Sequence, residues 1–108
     1  MTTVTEFLWQ AKALISSGRT YFSRRNDYDT VQALFDLGIE DRKGAWLEIM
    51  KLKPTDQYKP SELDRRGSGE WVWFFRKELN GQIAYIKLTI DQNLCLCLSF
   101  HPEGYTQN

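Results

Sequence analysis

The sequence predicts an α+β domain with N-terminal helices packed on one face of a C-terminal antiparallel sheet of three strands or slightly more. Three observations carry this. Apolar residues recur at helical spacing as far as Met50, the period changes to two from Trp71 onward, and Asn80-Gly81 interrupts the second pattern with the strongest short-range signal for a type I′ hairpin turn. A chain of 108 residues fits one domain and can bury a modest core unaided.

Thr3 and Glu6 have capping-box spacing, and Val4, Phe7, Leu8, Ala11, Leu14 and Ile15 form one stripe behind them. A helix is therefore expected over about 3–17, stopped by Gly18. Thr20 to Arg25 is compatible with a short extended segment. Asn26 is placed to cap a second helix over about 27–37, with Tyr28, Val31, Leu34 and Phe35 inward and Gly38 at its end. A third helix, about 41–52, starts near Asp41, turns Trp46, Leu47, Ile49 and Met50 to the core and finishes before Pro54. Residues 54–70 are polar and broken by Pro60, Gly67 and Gly69, so they read as a long loop, a length that itself hints at function.

Strands are expected over about 71–79, 82–90 and 94–101. If Asn80 and Gly81 form the loop, Leu79 opposes Gln82, Arg76 opposes Tyr85 and Phe74 opposes Lys87. One face then collects Val72, Phe74, Arg76, Tyr85 and Lys87. The other receives Trp71, Trp73, Phe75, Ala84, Ile86, Leu88 and Ile90, apolar enough to floor the helices. A three-residue turn at Asp91, Gln92 and Asn93 would send Leu94, Leu96, Leu98 and Phe100 to the core. Cys95, Cys97, Ser99 and His101 would then lie on the open face, with Ser99 opposite Tyr85 and His101 diagonal to it.

Composition narrows the function. Lys plus Arg and Asp plus Glu number 14 each, so attraction for nucleic acid must come from a local cluster, and a histone-like or polybasic-tail reading is excluded. The N-terminal residues lack the pattern of a signal peptide and no stretch is long enough to cross a bilayer, which predicts a cytoplasmic protein with no membrane partner. Cys95 and Cys97, two apart on one strand, are poorly placed to bridge each other. With His101 they are the candidate metal ligands, but three ligands along one straight strand are too far apart to close on an ion, so neither metal nor cofactor is expected.

Arg76, Tyr85, Lys87, Ser99 and His101 share one patch of the open face. Alone, each has a bland reading: Arg76 and Lys87 as solvated strand charges, Tyr85 as a β-former, His101 as the end of a strand. Together, a phenol, an imidazole and two cations are the parts needed to cut RNA without metal. A base takes the ribose 2′-hydroxyl proton, cations hold the charge on the phosphate, and an acid protonates the departing 5′-oxygen. His101 is the side chain here whose unperturbed pKa suits proton transfer at neutral pH. Phe74 and Tyr58 are candidates for stacking on bases, whereas the four tryptophans read as core or loop anchors.

Asp56-Gln57-Tyr58-Lys59, Gly81-Gln82-Ile83-Ala84-Tyr85-Ile86-Lys87 and Leu98-Ser99-Phe100-His101 stand in the order and spacing of MqsR-type toxins, which the chain resembles over nearly its whole length. The resemblance implies a RelE-like fold and a bacterial toxin that cleaves messenger RNA, on or off the ribosome, and is silenced by a cognate antitoxin. It places the family's functional lysine on Lys59 and its functional tyrosine on Tyr85. Two positions depart: Val72 stands where the family's best-known form has glutamine, and His101 where it has lysine. The working assignment makes His101 the acid or base, Tyr85 its partner, and Lys59, Arg76 and Lys87 the phosphate holders. The competing classes are a non-catalytic module that grips RNA, a ribosome or a protein through the same face, and a degenerate toxin that retains only antitoxin binding.

Overall fold

The first helix, α1 (Val4–Ser16), starts where the expected capping box closes: the Thr3 hydroxyl accepts from the Glu6 amide at 3.1 Å and the Glu6 carboxylate accepts from the Thr3 amide at 2.9 Å. Gly18, at φ +75°, ends it as expected. The computed structural model describes residues 2–23 and 28–105, and the expected cap Asn26 lies outside them. The order continues with β1 (Thr20–Phe22), α2 (Thr30–Asp36), α3 (Arg42–Ile49), a 3-10 turn at Pro54–Asp56, β2 (Gln57–Leu63), β3 (Trp71–Leu79), β4 (Gln82–Asp91) and β5 (Leu94–Pro102). The α+β class, helical first half and strand-rich second half, is as the sequence predicts.

The sheet has five strands in the order β1-β5-β4-β3-β2 and is mixed. After Gly18 the chain turns back and lays β1 parallel to β5, pairing Thr20 with Cys95 and Phe22 with Cys97. This parallel partner enlarges the expected antiparallel meander. On the other edge, β2 occupies the expected loop 54–70 and runs antiparallel to β3 with two register shifts. Pro60, which removes a backbone donor, is tolerated there because β2 is an edge strand.

The Asn80-Gly81 turn is confirmed: both residues have positive φ, 52° and 81°, and Arg76 pairs with Tyr85 and Phe74 with Lys87. The next turn is tighter than expected. Gln92 and Asn93, at φ 50° and 63°, make a two-residue loop between Asp91 and Leu94. A β-bulge then intervenes, because Leu88 pairs with Cys97 but Lys87 with Ser99, leaving Leu98 unpaired.

The shorter turn reverses the expected faces of Leu94 to Cys97, and the bulge then returns Ser99, Phe100 and His101 to theirs. Cys95, Cys97 and Phe100 enter the helix-side core with Phe7, Leu8, Leu34, Ile49, Trp73, Phe75 and Ile86, whereas Leu96 and Leu98 go to the opposite face. The two-residue turn sets Cys95 opposite Ile90 and Cys97 opposite Leu88, whose side chains face the helices, and α1 and α2 both pack against β5 there. Phe7 stacks on Trp73 with centroids 4.9 Å apart, tying α1 to the sheet.

The helix phases are also corrected. α2 is capped by Asp29, whose carboxylate accepts from the Gln32 amide, and buries Thr30, Ala33 and Leu34, while Val31 and Phe35 face solvent. α3 is capped by Asp41 as expected, but Leu47 is exposed and Ala45 joins Ile49 in the core. Trp9 and Trp71 are exposed, so only Trp73 of the four tryptophans is a fully buried anchor. Among the described residues no helix is long and apolar enough to cross a membrane.

Candidate active site

The face away from the helices is not a bare polar surface. Val72, Phe74 and Leu98, with Tyr58 and Leu96 packed against them, form a second, smaller apolar cluster on it. Val72, where a glutamine was of interest, is part of this floor. Phe74 is only 5% exposed and Ser99 1%, so both lie on the expected face but beneath its surface. Neither presents a surface for a base to stack on or a hydroxyl for RNA to reach, which corrects their assignment as RNA contacts. The Ser99 hydroxyl has no hydrogen-bond partner among the described residues.

Above the floor, Tyr85 on β4 pairs directly with His101 on β5, the two expected to be diagonal. Their rings are stacked, with centroids 6.1 Å apart and planes 28° apart. Two shifts from expectation, the shorter turn and the bulge, moved the partner of Tyr85 by two residues and so preserved the shared face. Tyr28 meets His101 edge-on at 5.1 Å, and its hydroxyl accepts the Phe100 amide of β5 at 3.0 Å. His101 is consequently 8% exposed. Its Nδ1 lies 2.7 Å from the Pro102 carbonyl. A carbonyl oxygen can only accept, so Nδ1 carries hydrogen and Nε2 is the nitrogen where a proton is gained or lost.

Tyr58 stands edge-on to Tyr85 at 5.5 Å and to Phe74 at 6.3 Å, with the Arg76 guanidinium 5.7 Å from its ring centroid. Burial, and then the neighbouring Tyr85, push the Tyr58 hydroxyl up, against the opposing pull of Arg76. Tyr58 therefore stays protonated at neutral pH and acts as a donor rather than a base. Lys59 Nζ sits 4.1 Å from the Phe74 ring centroid and 3.2 Å from a Glu62 carboxylate oxygen, and Lys87 Nζ lies 5.8 Å from the same ring. Three cations, two phenols and one imidazole thus share one face of β2 to β5.

Two residues of this arrangement escape sequence reasoning. Tyr28 reads as an inward helix residue, yet it precedes α2 and packs on His101. Glu103 falls past the expected strand end, yet its carboxylate accepts the Tyr85 hydroxyl at 2.9 Å. The signal for Glu103 was available, since it lies two residues beyond His101 and alternation puts such residues on one side.

The candidate metal set does not assemble. Cys95 and Cys97 point into the helix-side core while His101 lies on the other face, and no group of three potential ligands is placed to hold an ion among the described residues. Burial pushes the Cys95 thiol up to about 12 and the Cys97 thiol well above its ordinary value, so neither is a nucleophile at neutral pH. No protein-family model matches the chain, and a search of curated proteins finds no match.

Proposed function

We propose that this chain is a metal-independent endoribonuclease, a toxin-type messenger RNA interferase of the bacterial cytoplasm that a cognate antitoxin holds in check. The observation that carries the reading is the stacked Tyr85–His101 pair, flanked on one sheet face by Arg76, Lys59 and Lys87. His101 transfers the proton through Nε2, Tyr85 and Tyr58 donate hydrogen bonds, and the cations hold the scissile phosphate and its neighbours. The motifs shared with MqsR-type toxins support the same reading, because Lys59 and Tyr85 fall at that family's functional positions and both reach this face.

The test is cleavage of a single-stranded RNA by purified protein in a chelator, comparing the parent with His101→Ala and Tyr85→Phe. The expected result is cleavage by the parent to a 2′,3′-cyclic phosphate and a 5′-hydroxyl, with a loss of about 10²–10⁴-fold in His101→Ala. Expression should arrest growth, and an adjacent antitoxin reading frame should relieve the arrest. Undiminished cleavage in both variants ends the proposal. The narrow access to His101 favours a second reading, an RNA-, ribosome- or protein-binding face without turnover. That reading predicts binding without cleavage and no toxicity.

A further inference from the structure

Glu103 is the unassigned group that the site geometry brings nearest to the chemistry. Its amide donates to the Ile83 carbonyl at 3.2 Å, one step beyond the last ladder pair, Ala84 with Pro102. The backbone at Glu103 is thus tied to β4, and Gly104, at φ +84°, immediately turns the chain away. The side chain remains exposed while the Tyr85 hydroxyl holds Oε1 at 2.9 Å. Glu62 is the other carboxylate against this group of side chains, and it is already ion-paired with Lys59 at 3.2 Å. Glu103 makes no ion pair among the described residues.

We infer that Glu103 is the general base of the proposed ribonuclease, with His101 its general acid and Tyr85 the residue that positions the carboxylate. The inference rests on the ribonuclease reading and adds a role to it. In the step, Glu103 Oε2 takes the ribose 2′-hydroxyl proton as the 2′-oxygen forms its bond to phosphorus. The bond from phosphorus to the 5′-oxygen breaks, and that oxygen takes the proton of His101 Nε2. The products are a 2′,3′-cyclic phosphate and a 5′-hydroxyl, with Glu103 left as the neutral acid and His101 as the neutral imidazole. Exchange with water restores both. His101 stacks on the Tyr85 ring and the Glu103 carboxylate accepts the Tyr85 hydroxyl, so one phenol gathers the imidazole and the carboxylate on one face.

Glu103→Gln is the discriminating variant, because its amide oxygen still accepts the Tyr85 hydroxyl but cannot take a proton. Turnover of a short single-stranded RNA is measured from pH 4 to 9 for the parent, Glu103→Gln and Glu103→Asp. Affinity for the same oligonucleotide with a 2′-deoxyribose at the cleavage position is measured alongside. The expected result is a fall of about 10²–10⁴-fold in kcat/KM for Glu103→Gln with the acidic limb of the pH profile lost. Glu103→Asp should keep that limb at reduced rate, and affinity for the deoxy analogue should stay within about twofold, less than the loss of a hydrogen bond to the RNA would cost. A Glu103→Gln enzyme with the parent's rate and acidic limb overturns the assignment alone. A rate loss matched by an equal loss of affinity also overturns it. A parent that cleaves no RNA overturns the ribonuclease reading and this inference together.

Discussion

Deleting Leu98 removes the one residue of β5 that opposes nothing on β4, since the ladder passes from Leu88–Cys97 directly to Lys87–Ser99. The deletion joins these pairs into a regular ladder and leaves Phe100 opposite Ile86 and His101 opposite Tyr85. What is lost is the Leu98 side chain, 9% exposed and packed with Val72 and Phe74. Losing one buried leucine costs about 2–3 kcal/mol. In an unbulged strand the same deletion would exchange the faces of every later residue. It would drive the fully buried Phe100 into solvent for a further cost of about 3–5 kcal/mol and force His101 into the core. The sum would rival the whole stability of a small domain, about 5–15 kcal/mol. Urea unfolding followed by tryptophan fluorescence separates the two, as does a nuclear Overhauser contact between the rings of Tyr85 and His101. A folded variant whose unfolding free energy is lower by about 2–3 kcal/mol, with the ring contact intact, is the expected outcome. A deletion variant that does not fold, or that folds without the contact, would refute the bulge as the reason these residues share a face.

Asp64→Ala should destabilise the β2–β3 connection by about 1–3 kcal/mol at pH 7, because the buried carboxylate accepts from the Arg66 amide and guanidinium and from the Ser68 hydroxyl. Hydrogen bonding from Arg66 is the main reason its native pKa lies well below the usual carboxylate range. Its contribution is therefore full above the unfolded value of about 4 and is lost as pH falls toward the depressed native value, so the gap between parent and variant in urea should narrow below pH 4. Gly38→Ala should cost more than the roughly 1 kcal/mol of an ordinary glycine effect, since Gly38 has φ +79° and a Cβ there would collide with the Asn80 side-chain amide. That amide donates to the Leu37 carbonyl at 2.7 Å, so a thermal melt of Gly38→Ala no lower than that of the parent would disprove the contact.

Legibility followed the range of the interactions concerned. The β3–β4 hairpin was readable because two adjacent residues, Asn80 and Gly81, determine both turn type and register. The faces of β5 were not, because leucine and cysteine are both apolar and alternation between them names no side. The two-residue turn at Gln92 and Asn93 decided it by setting Cys95 opposite Ile90. The parallel pairing of β1 with β5 joins residues 75 positions apart, Thr20 with Cys95, and no local pattern announces it. α2 was out of phase because its cap is Asp29 and only seven residues follow, too few for periodicity to select the buried side. The grouping of Arg76, Tyr85 and Lys87 was readable from the hairpin register, whereas His101 joined them because the shorter turn and the bulge offset each other. Alternation continued past His101 would also have put Glu103 on this face, but the expected strand stopped two residues short of it.

The irregularity of β2 explains why the site is crowded. In a regular strand, successive side chains point to opposite faces, so Tyr58 and Lys59 could not both serve one surface. Here Gln57 pairs with Phe75 and Lys59 with Phe74, so the register slips at Tyr58. Tyr58 reaches Phe74 and Tyr85, and Lys59 also reaches the Phe74 ring. The slip therefore delivers a phenol and an ammonium from adjacent residues to one face, as bulges beside functional sites often re-aim side chains. The Leu98 bulge does the matching work on β5 by restoring His101 to the side of Tyr85. Deleting Gln57 would remove the slip on β2 and leave Tyr58 opposite Phe75, facing the helix-side core. The grouping of side chains on this face thus depends on two departures from regular β structure, one on each side of the central pair β3–β4.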